Sequence, residues 1–461
     1  MIVKNQNKNS LDGIKMRSRR YFKQIVLLGI ITIISISANA QNEIKDFISK
    51  QETAFKWSVD EQKDTPQTTT YIVNVTSQTF EGRQWEHSVI VIIPKIIKMK
   101  NTAILMNFQG DMPKNDNDLG GYIDMLSSMA GCVFIGLWNV PNDKQGLSPD
   151  ANIAESLKQS IATEDFTNPM HLPMTKSIIK TMDAVDEFMK STEKDIITKY
   201  IIAGGSKNGW TCWLAAASED KRIAGIAPIV FDFLDMNRQL QHQKEIYGNY
   251  SDKISDYTSR GIQDFVKTEN GQKILSIIDP ISYVDKITVP KLIINATNDS
   301  FWTFDSANIY WDKLKGDNYL IYMSNMDHGI GRNGTAIKPL DLLPIANTLI
   351  NFTAKCSGNG NMANLKWEWK EEGEKMICEV TSLDDSINIF NIRTFVAKSE
   401  NKDFRKAEFI PIPGTQNEDG SFSIAIEKSK DSYQAGVTQI TVKDNEISYS
   451  VYTVPVVIER L

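Results

Sequence analysis

Residues 201–210 read IIAGGSKNGW. An apolar run ends in two glycines, after which come a serine, a lysine, an asparagine and a third glycine. This order predicts a buried strand that turns sharply into a helix, with Ser206 at the turn. Such a turn holds a serine hydroxyl above the carboxyl edge of a parallel sheet, where it can act as a nucleophile.

The stretch departs from the G-x-S-x-G pattern of a nucleophile turn at one position. Gly204 stands two residues before Ser206, as the pattern requires, but Asn208 stands two residues after it and the glycine follows at Gly209. Asparagine tolerates unusual backbone angles better than most residues. From these residues alone, a glycine-rich strand-to-helix turn or a phosphate-binding loop is an equal alternative.

Apolar runs of strand length recur on both sides of this turn and alternate with helical periodicity. Because most of these runs are continuous, they predict strands that are buried on both faces of a sheet. Strands alternating with helices indicate an α/β domain with a mostly parallel sheet, which we place at residues 41–352, with an antiparallel hairpin at 69–95 leading into it. The predicted strands are 102–108, 132–137, 200–203, 223–230, 291–296 and 319–323, and the predicted helices are 124–130, 175–190, 209–218 and 307–313.

Three further segments have a different character. Residues 141–170 are polar without strong periodicity and are predicted to form a lid-like or surface connection. Residues 231–290 are too long for one crossover and predict a helical insertion that could cap the site. Residues 353–461 contain short β-type runs separated by turn-forming residues, which indicates a small C-terminal β-sandwich domain.

The N-terminus has the features of a signal peptide. A basic segment precedes an apolar run at residues 25–36, and Ala38-Asn39-Ala40 matches a cleavage site. We therefore predict that residues 1–40 are removed, that the protein is exported to the periplasm or secreted, and that no stable membrane span remains. The alternative is an uncleaved anchor.

The charge and cysteine content of the chain argue against some classes of function. The formal net charge is -6, whereas nucleic-acid-binding domains usually present a basic face, so no nucleic-acid partner is predicted. No Cys-x-x-Cys motif or Cys/His metal spacing occurs, and we predict no metal and no cofactor. Cys132 and Cys212 lie in apolar stretches typical of buried residues, whereas Cys356 and Cys378 could pair in an oxidising compartment.

An acid and a histidine follow Ser206 in the order that a serine hydrolase of this type needs. Of the four histidines, His328 follows a late predicted strand, and Asp299 follows the strand before it. In this interpretation His328 is the general base, and Asp299 orients it and stabilises its charged form. Asp305 and Asp327 are the alternative acids.

Backbone N–H groups would stabilise the oxyanion. The predicted donors are the N–H of Lys207 and one N–H of the loop 107–111, with Gln109 and Gly110 as candidates. The charged side chain of Lys207 has two interpretations: it assists the oxyanion or binds an acidic group of the substrate, or it points outward or pairs with a surface acid. Phe301 and Trp302 follow Asp299 closely and could line a pocket.

Several ordered blocks resemble the PhoPQ-activated pathogenicity-related family. They are GGSKNGWTCWLAAASEDKRIAGIAPIVFDFLDM, LPMTKSIIKTMDAVDEF, VPKLIINATNDSFWTFDSANIYWDKLKGDNYLIYMSNMDHGI and, within the β region, Asp403-Phe404-Arg405. The resemblance implies an α/β-hydrolase-like fold with Ser206, Asp299 and His328 in the triad places, and it implies no substrate. The S-K-x-G turn is also similar to the S-R-x-G turn of glucuronoyl esterases, which hints at a sugar or uronate ester.

Three functions are compatible with these residues. The first is an exported serine hydrolase that forms an acyl-enzyme with a small-molecule or polymer ester or amide, including a carbohydrate or uronate ester. The second is a serine peptidase with the same three residues. The third is an inactive envelope or binding protein on the same fold. The altered turn favours this interpretation, whereas the correctly ordered acid and histidine argue against it. The sequence does not indicate an oligomeric state.

Overall fold

The computed structural model describes residues 43–113, 119–142, 146–329, 331, 339–384, 387–443 and 448–461. The signal peptide predicted at residues 1–40 lies outside these ranges. Within them, no helix combines the length and the apolar character needed to cross a bilayer.

A nine-stranded sheet forms the centre of the larger part of the chain, in the order β1-β2-β3-β5-β4-β6-β7-β8-β9. The pairs that join β1, β2, β3 and β5 are antiparallel, and every pair from β5 to β9 is parallel. The predicted α/β fold with a mostly parallel sheet, of the α/β-hydrolase type, is therefore confirmed. The strands are β1 (Lys56–Asp64), β2 (Thr68–Phe80), β3 (Arg83–Pro94), β4 (Thr102–Asn107), β5 (Val133–Leu137), β6 (Lys199–Gly205), β7 (Ile223–Ile229), β8 (Lys291–Ala296) and β9 (Asn318–Met323).

The parallel strands of this sheet are buried along almost their whole length, as expected of a parallel sheet with helices on both faces. For example, Phe188 of α4 packs edge-on against Tyr71 of β2, with ring centroids 4.8 Å apart. The helices are α1 (43–49), α2 (Leu119–Ala130), α3 (Pro149–Thr163), α4 (His171–Ser191), α5 (Lys207–Ala217), α6 (Met236–Tyr247), α7 (Ser255–Thr258), α8 (Ile262–Phe265), α9 (Glu269–Ile278) and α10 (Pro339–Ser357).

Two sequence predictions about connecting segments are wrong. The supposedly irregular stretch 141–170 contains α3, whose start is capped by the Ser148 hydroxyl accepting the Ala151 N–H at 3.1 Å, with a proline at the first helical position. The predicted helix 307–313 is instead two short 3-10 turns, Ser306–Ile309 and Trp311–Lys313. Its aromatic side chains pack into the core instead of forming one helical face.

The chain between β7 and β8 forms α6, α7, α8 and α9, with 3-10 turns before α7 and after α9. The buried Asp279 carboxylate joins the two ends of this helical insertion. It accepts the N–H groups of Asp235 and Met236 at the start of α6, at 3.2 and 2.7 Å, and that of Ile281 after α9, at 3.1 Å. One side chain therefore ties the start of the insertion to its end.

Replacing Asp279 should loosen this insertion. Asp279→Ala leaves three N–H groups without their acceptor, and we expect a loss of roughly 3 kcal/mol, because each unsatisfied buried donor costs about 1–3 kcal/mol. The lower midpoint of urea unfolding would measure it. Asp285→Ala is the control, since the Asp285 side chain is 85% exposed, and a loss equal to that of the control would contradict the assignment.

The C-terminal region consists of two antiparallel sheets, β10-β11-β15-β14 and β13-β12-β16-β17, with β18 paired to β16. Side chains of the two sheets interlock; Ile424 of one lies against Gly414, next to Ile392 of the other. Two short strands next to prolines and Gly414, β13 and β14, were not predicted. The strands are β10 (Leu365–Glu372), β11 (Lys375–Ser382), β12 (Asn388–Ser399), β13 (Ile410–Pro413), β14 (Thr415–Gln416), β15 (Phe422–Glu427), β16 (Tyr433–Lys443), β17 (Tyr449–Tyr452) and β18 (Val456–Ile458).

All four cysteines are free thiols in this structure. Cys132 and Cys212 are fully buried, as their apolar surroundings predicted. The alternative pairing of Cys356 with Cys378 is not formed.

Candidate active site

Ser206 lies at the turn between β6 and α5 with backbone angles φ 56° and ψ −124°. This conformation is unfavourable for a residue with a Cβ and costs roughly 1–3 kcal/mol, so the surroundings must hold it in place. The Ser206 N–H donates to the Ile229 carbonyl at 2.8 Å, and the Ser206 carbonyl accepts the Trp210 N–H at 3.0 Å. The serine is thus fixed between the end of β7 and the first turn of α5.

Glycines make this tight turn possible, and their positions explain the departure from G-x-S-x-G. A Cβ at Gly204 would lie 2.7 Å from the Asn208 carbonyl oxygen. A Cβ at Gly209 would lie 3.0 Å from both the Ile229 carbonyl oxygen and Phe231 Cβ. Helix α5 therefore crosses the end of β7 at position 209, and it is at this position, one residue later than in the G-x-S-x-G pattern, that a glycine is needed.

Ser206, His328 and Asp299 form a continuous chain of hydrogen bonds. Ser206 Oγ lies 2.8 Å from His328 Nε2, and His328 Nδ1 lies 3.0 and 2.9 Å from the two carboxylate oxygens of Asp299. The three residues follow β6, β8 and β9, so the parallel sheet brings their loops to one edge. Phe301 stacks on the His328 ring with centroids 3.8 Å apart, and its N–H donates to Asp299.

The two alternative acids have other partners. Asp305 accepts a hydrogen bond from His242 Nε2 at 2.7 Å. Asp327 accepts the N–H groups of Gly329 and Gly331. Among the three candidate carboxylates, only that of Asp299 hydrogen-bonds His328 in the described residues.

The Lys207 side chain is buried beside Ser206 and does not point outward; it pairs with an acid, as the second of the two interpretations allowed. Its ammonium donates to Gln109 Oε1 at 2.8 Å and pairs with Asp150 Oδ2 at 3.0 Å. The other Asp150 oxygen accepts the Tyr257 hydroxyl at 3.0 Å. Burial and the Asp150 carboxylate raise the pKa of Tyr257 well above its usual value, which keeps the phenol a donor.

This network connects four parts of the chain around the serine. Gln109 belongs to the loop after β4, Lys207 begins α5, Asp150 lies in the first turn of α3, and Tyr257 belongs to α7 of the insertion. Asp150 and Tyr257 were not identified from the sequence. The Ser148-Pro149-Asp150 start of α3 was the available signal, since it combines a capping serine with proline at the first helical position.

The loop after β4 holds the second set of predicted oxyanion donors. The N–H groups of Gln109, Gly110 and Lys207 donate no hydrogen bond to any described residue, so each keeps a donor for a substrate. The Phe108 N–H, in contrast, donates to the Leu137 carbonyl. The bond between Gln109 and the Lys207 ammonium brings this loop next to Ser206.

A pocket extends from Ser206 beneath the helical insertion. Its walls come from the sheet edge, α3 and all four helices of the insertion. Phe301 and Trp302 line it, as predicted. The apolar residues lining it are Leu157, Ile161, Trp210, Phe231, Phe233, Met236, Leu240, Ile254, Ile262, Val266, Ile274, Leu275, Ile278, Phe301 and Trp302.

Residues 44–405 match the model of a protein family described as PhoPQ-activated pathogenicity-related protein. The chain belongs to this family. A relative, autocrine proliferation repressor protein A of Dictyostelium discoideum, is 30% identical over 330 residues, which cover 67% of this chain. The match spans 65% of that relative's length. The family resemblance predicted from the sequence blocks is thus confirmed.

Solved structures with a similar arrangement include esterases. An acetyl xylan esterase from Paenibacillus sp. R4 covers 68% of this chain and 92% of its own at 13% identity, with a TM-score of 0.47. A glucuronoyl esterase from Solibacter usitatus covers 59% of this chain and 77% of its own at 13% identity, with a TM-score of 0.37. At these identities and scores the likeness carries no information about the substrate of this chain.

The two adjacent glycines before Ser206 should differ sharply in their tolerance of a side chain. Gly204→Ala forces a Cβ into the Asn208 backbone and should displace the serine, lowering kcat about 100-fold, since a misplacement of about 1 Å costs this much. Gly205→Ala meets nothing within 4 Å and should retain activity within threefold. Hydrolysis of p-nitrophenyl butyrate by both variants is the measurement. Equal effects of the two substitutions would refute this account of the turn.

Proposed function

We propose that the protein is a serine esterase that works through an acyl-enzyme. The observation that carries the proposal is the hydrogen-bonded chain from Ser206 Oγ through His328 to the Asp299 carboxylate. The acid lies at the nitrogen of His328 that faces away from the serine, which is the arrangement that makes the other nitrogen a proton acceptor.

The reaction would proceed in two halves. His328 Nε2 takes the Ser206 proton as the serine oxygen attacks the ester carbonyl, and Asp299 stabilises the imidazolium that forms. The N–H groups of Lys207 and Gln109 stabilise the negatively charged oxygen of the tetrahedral intermediate. His328 then returns the proton to the leaving alcohol, and a water molecule activated in the same way releases the acid and regenerates Ser206.

The pocket supports an ester over a peptide as substrate. Most of the side chains that line it are apolar, whereas a bound peptide backbone needs partners for its buried N–H and C=O groups. An ester carbonyl needs only the oxyanion donors. The signal peptide predicted at residues 1–40 extends the proposal to an exported esterase, periplasmic or secreted.

Substitution of the proposed nucleophile and base tests this function. Ser206→Ala and His328→Ala should each lower kcat at least 1000-fold and abolish labelling by a fluorophosphonate, because each removes a group on which acyl transfer depends. His242→Ala is a matched control for the base. Its side chain is 12% exposed, like that of His328, and it also pairs with an aspartate.

We expect the wild type and His242→Ala to be labelled and to hydrolyse esters. Ser206→Ala and His328→Ala should do neither. A folded wild-type protein without a Ser206 adduct, under conditions that label a known serine hydrolase, would contradict the proposal. Cleavage of aminoacyl amides with a higher kcat/KM than esters would redirect it to a peptidase.

A further inference from the structure

We infer that the pocket beside Ser206 binds an uncharged, apolar group of the substrate ester, such as an alkyl chain or an aromatic ring. This inference rests on the proposed function and adds the class of substrate. The first argument is position, because Ser206 and Lys207 form part of the same lining as the apolar side chains. An ester whose carbonyl reaches Ser206 therefore has one of its two substituents directed into this pocket.

The polar atoms of the lining are turned away from the cavity by bonds within the protein. The indole N–H of Trp210 donates to the Ile278 carbonyl at 2.6 Å, and that of Trp302 donates to the Val230 carbonyl at 3.0 Å. The Tyr257 hydroxyl donates to Asp150. Gln263 Oε1 is not satisfied in this way, because it is buried without a partner among the described residues.

The charges of the lining are also satisfied. Its charged side chains are Lys207 and Asp150, which neutralise each other at 3.0 Å, and the Lys207 side chain is 7% exposed. A substrate carboxylate would have to share the ammonium with Asp150, so that two negative charges would lie close together in a mostly apolar pocket, which is unfavourable. The geometry therefore disfavours a uronate or another anionic group in this pocket, although the sequence motif hinted at one.

The helical insertion forms an apolar wall of the pocket. Met236 and Leu240 of α6, and Ile274, Leu275 and Ile278 of α9, all face the cavity. Transfer of a methylene from water into such a site is worth a factor of about four in binding. Activity should therefore rise by up to about fourfold for each methylene until the pocket is full.

Two series of esters test the inference and separate the two substituents. One series varies the acyl chain of p-nitrophenyl esters from acetate to decanoate, and the other varies the alcohol of acetate esters from ethyl to octyl. Leu240→Trp should fill the pocket from α6, and Thr258→Trp should fill it from α7 if the first variant folds poorly. Leu383→Trp is the matched control, because Leu383 is 59% exposed in the C-terminal region.

The expected result is a rise of kcat/KM of at least 30-fold along one of the series, lost in Leu240→Trp or Thr258→Trp and kept in Leu383→Trp. A flat profile in both series, or an unchanged slope in both filled-pocket variants, would overturn the inference. The two proposals fail differently: an enzyme labelled at Ser206 with flat profiles refutes only the apolar pocket, whereas absence of labelling refutes the esterase itself.

A separate observation concerns the C-terminal region, and here we propose that residues 404–409 position the loops of Asp299 and His328. Asn298, directly before Asp299, donates through Nδ2 to the carbonyls of Phe404, Arg405 and Ala407 at 3.2, 3.3 and 2.7 Å. Asn325, three residues before His328, exchanges two hydrogen bonds with the Phe409 backbone at 2.7 and 2.9 Å. One segment thus binds both loops.

The two loops are also bonded to each other. The Asn298 N–H donates to the Met326 carbonyl at 3.0 Å, and the Asn325 N–H donates to Thr297 Oγ1 at 2.8 Å. Asn325 has a left-handed backbone, φ 59°, that its contacts must hold. The segment 404–409 and the two loops are therefore all hydrogen-bonded to one another next to the acid and the base.

Buried aromatic side chains hold segment 404–409 in place. Phe404 and Phe409 are almost fully buried and pack against Phe304, with ring centroids 6.1 and 5.0 Å apart. The Arg405 guanidinium lies 3.8 Å above the Tyr247 ring of α6, and the Tyr247 hydroxyl donates to the Trp302 carbonyl at 2.8 Å. The segment is thus anchored independently of the two asparagines.

Asn298→Ala and Asn325→Ala test this positioning role, with Asn308→Ala as control. Asn308 also donates to a C-terminal carbonyl, that of Pro455 at 3.0 Å, but it does not belong to either loop. We expect kcat and the rate constant of fluorophosphonate labelling to fall 10- to 100-fold in the two test variants, as for other small misplacements of reacting groups. KM should change less than threefold, and the control should retain both rates.

The rates are measured well below the unfolding temperature of each variant, so that partial unfolding does not contribute to a lower measured rate. A second variant, Asn325→Asp, keeps the acceptor for the Phe409 N–H and should restore part of the rate. Rates within twofold of the wild type in both test variants would overturn the positioning role. Retained activity in Ser206→Ala would instead overturn the esterase proposal on which it rests.

Discussion

The close contact of α5 with the ends of β6 and β7 is the constraint on which the site depends. At this contact the Asn208 backbone approaches Gly204 and the Ile229 backbone approaches Gly209, at distances that leave no room for a Cβ. The same contact holds Ser206 in a conformation that residues other than glycine avoid. The unusual spacing of the glycines therefore reflects where α5 crosses β7, and the same contact holds the half-buried serine at the turn.

Other parts of the fold each add one component of the site around this contact. The parallel order of β6, β8 and β9 brings the loops of Ser206, Asp299 and His328 to one edge. The insertion adds apolar walls, and residues 404–409, between β12 and β13, bind the two later loops through Asn298 and Asn325. The buried network of Lys207, Asp150 and Tyr257 connects the serine turn to the insertion.

Much of this could be predicted because the physical signals were local. Continuous apolar runs marked the buried strands, and the chain order of Ser206, Asp299 and His328, each after a strand, indicated three residues that the structure does bring together. Helix α3 was missed because its sequence is polar over much of its length, so that periodicity was a weak guide. The helix predicted at 307–313 failed because its aromatic residues are buried by several different neighbours instead of one sheet face.

The sequence by itself determined the α/β sheet and the candidates for nucleophile, acid and base, because these follow from apolar patterning, glycine positions and chain order. Only the tertiary structure decided which carboxylate pairs with His328, since Asp299, Asp305 and Asp327 were all candidates by chain order and differ in which groups face them. It also decided that the Lys207 charge is neutralised by Asp150, a residue 57 positions earlier in the chain. Such pairings depend on distances between remote loops, and these distances exist only once the sheet, the insertion and the C-terminal sheets have packed together.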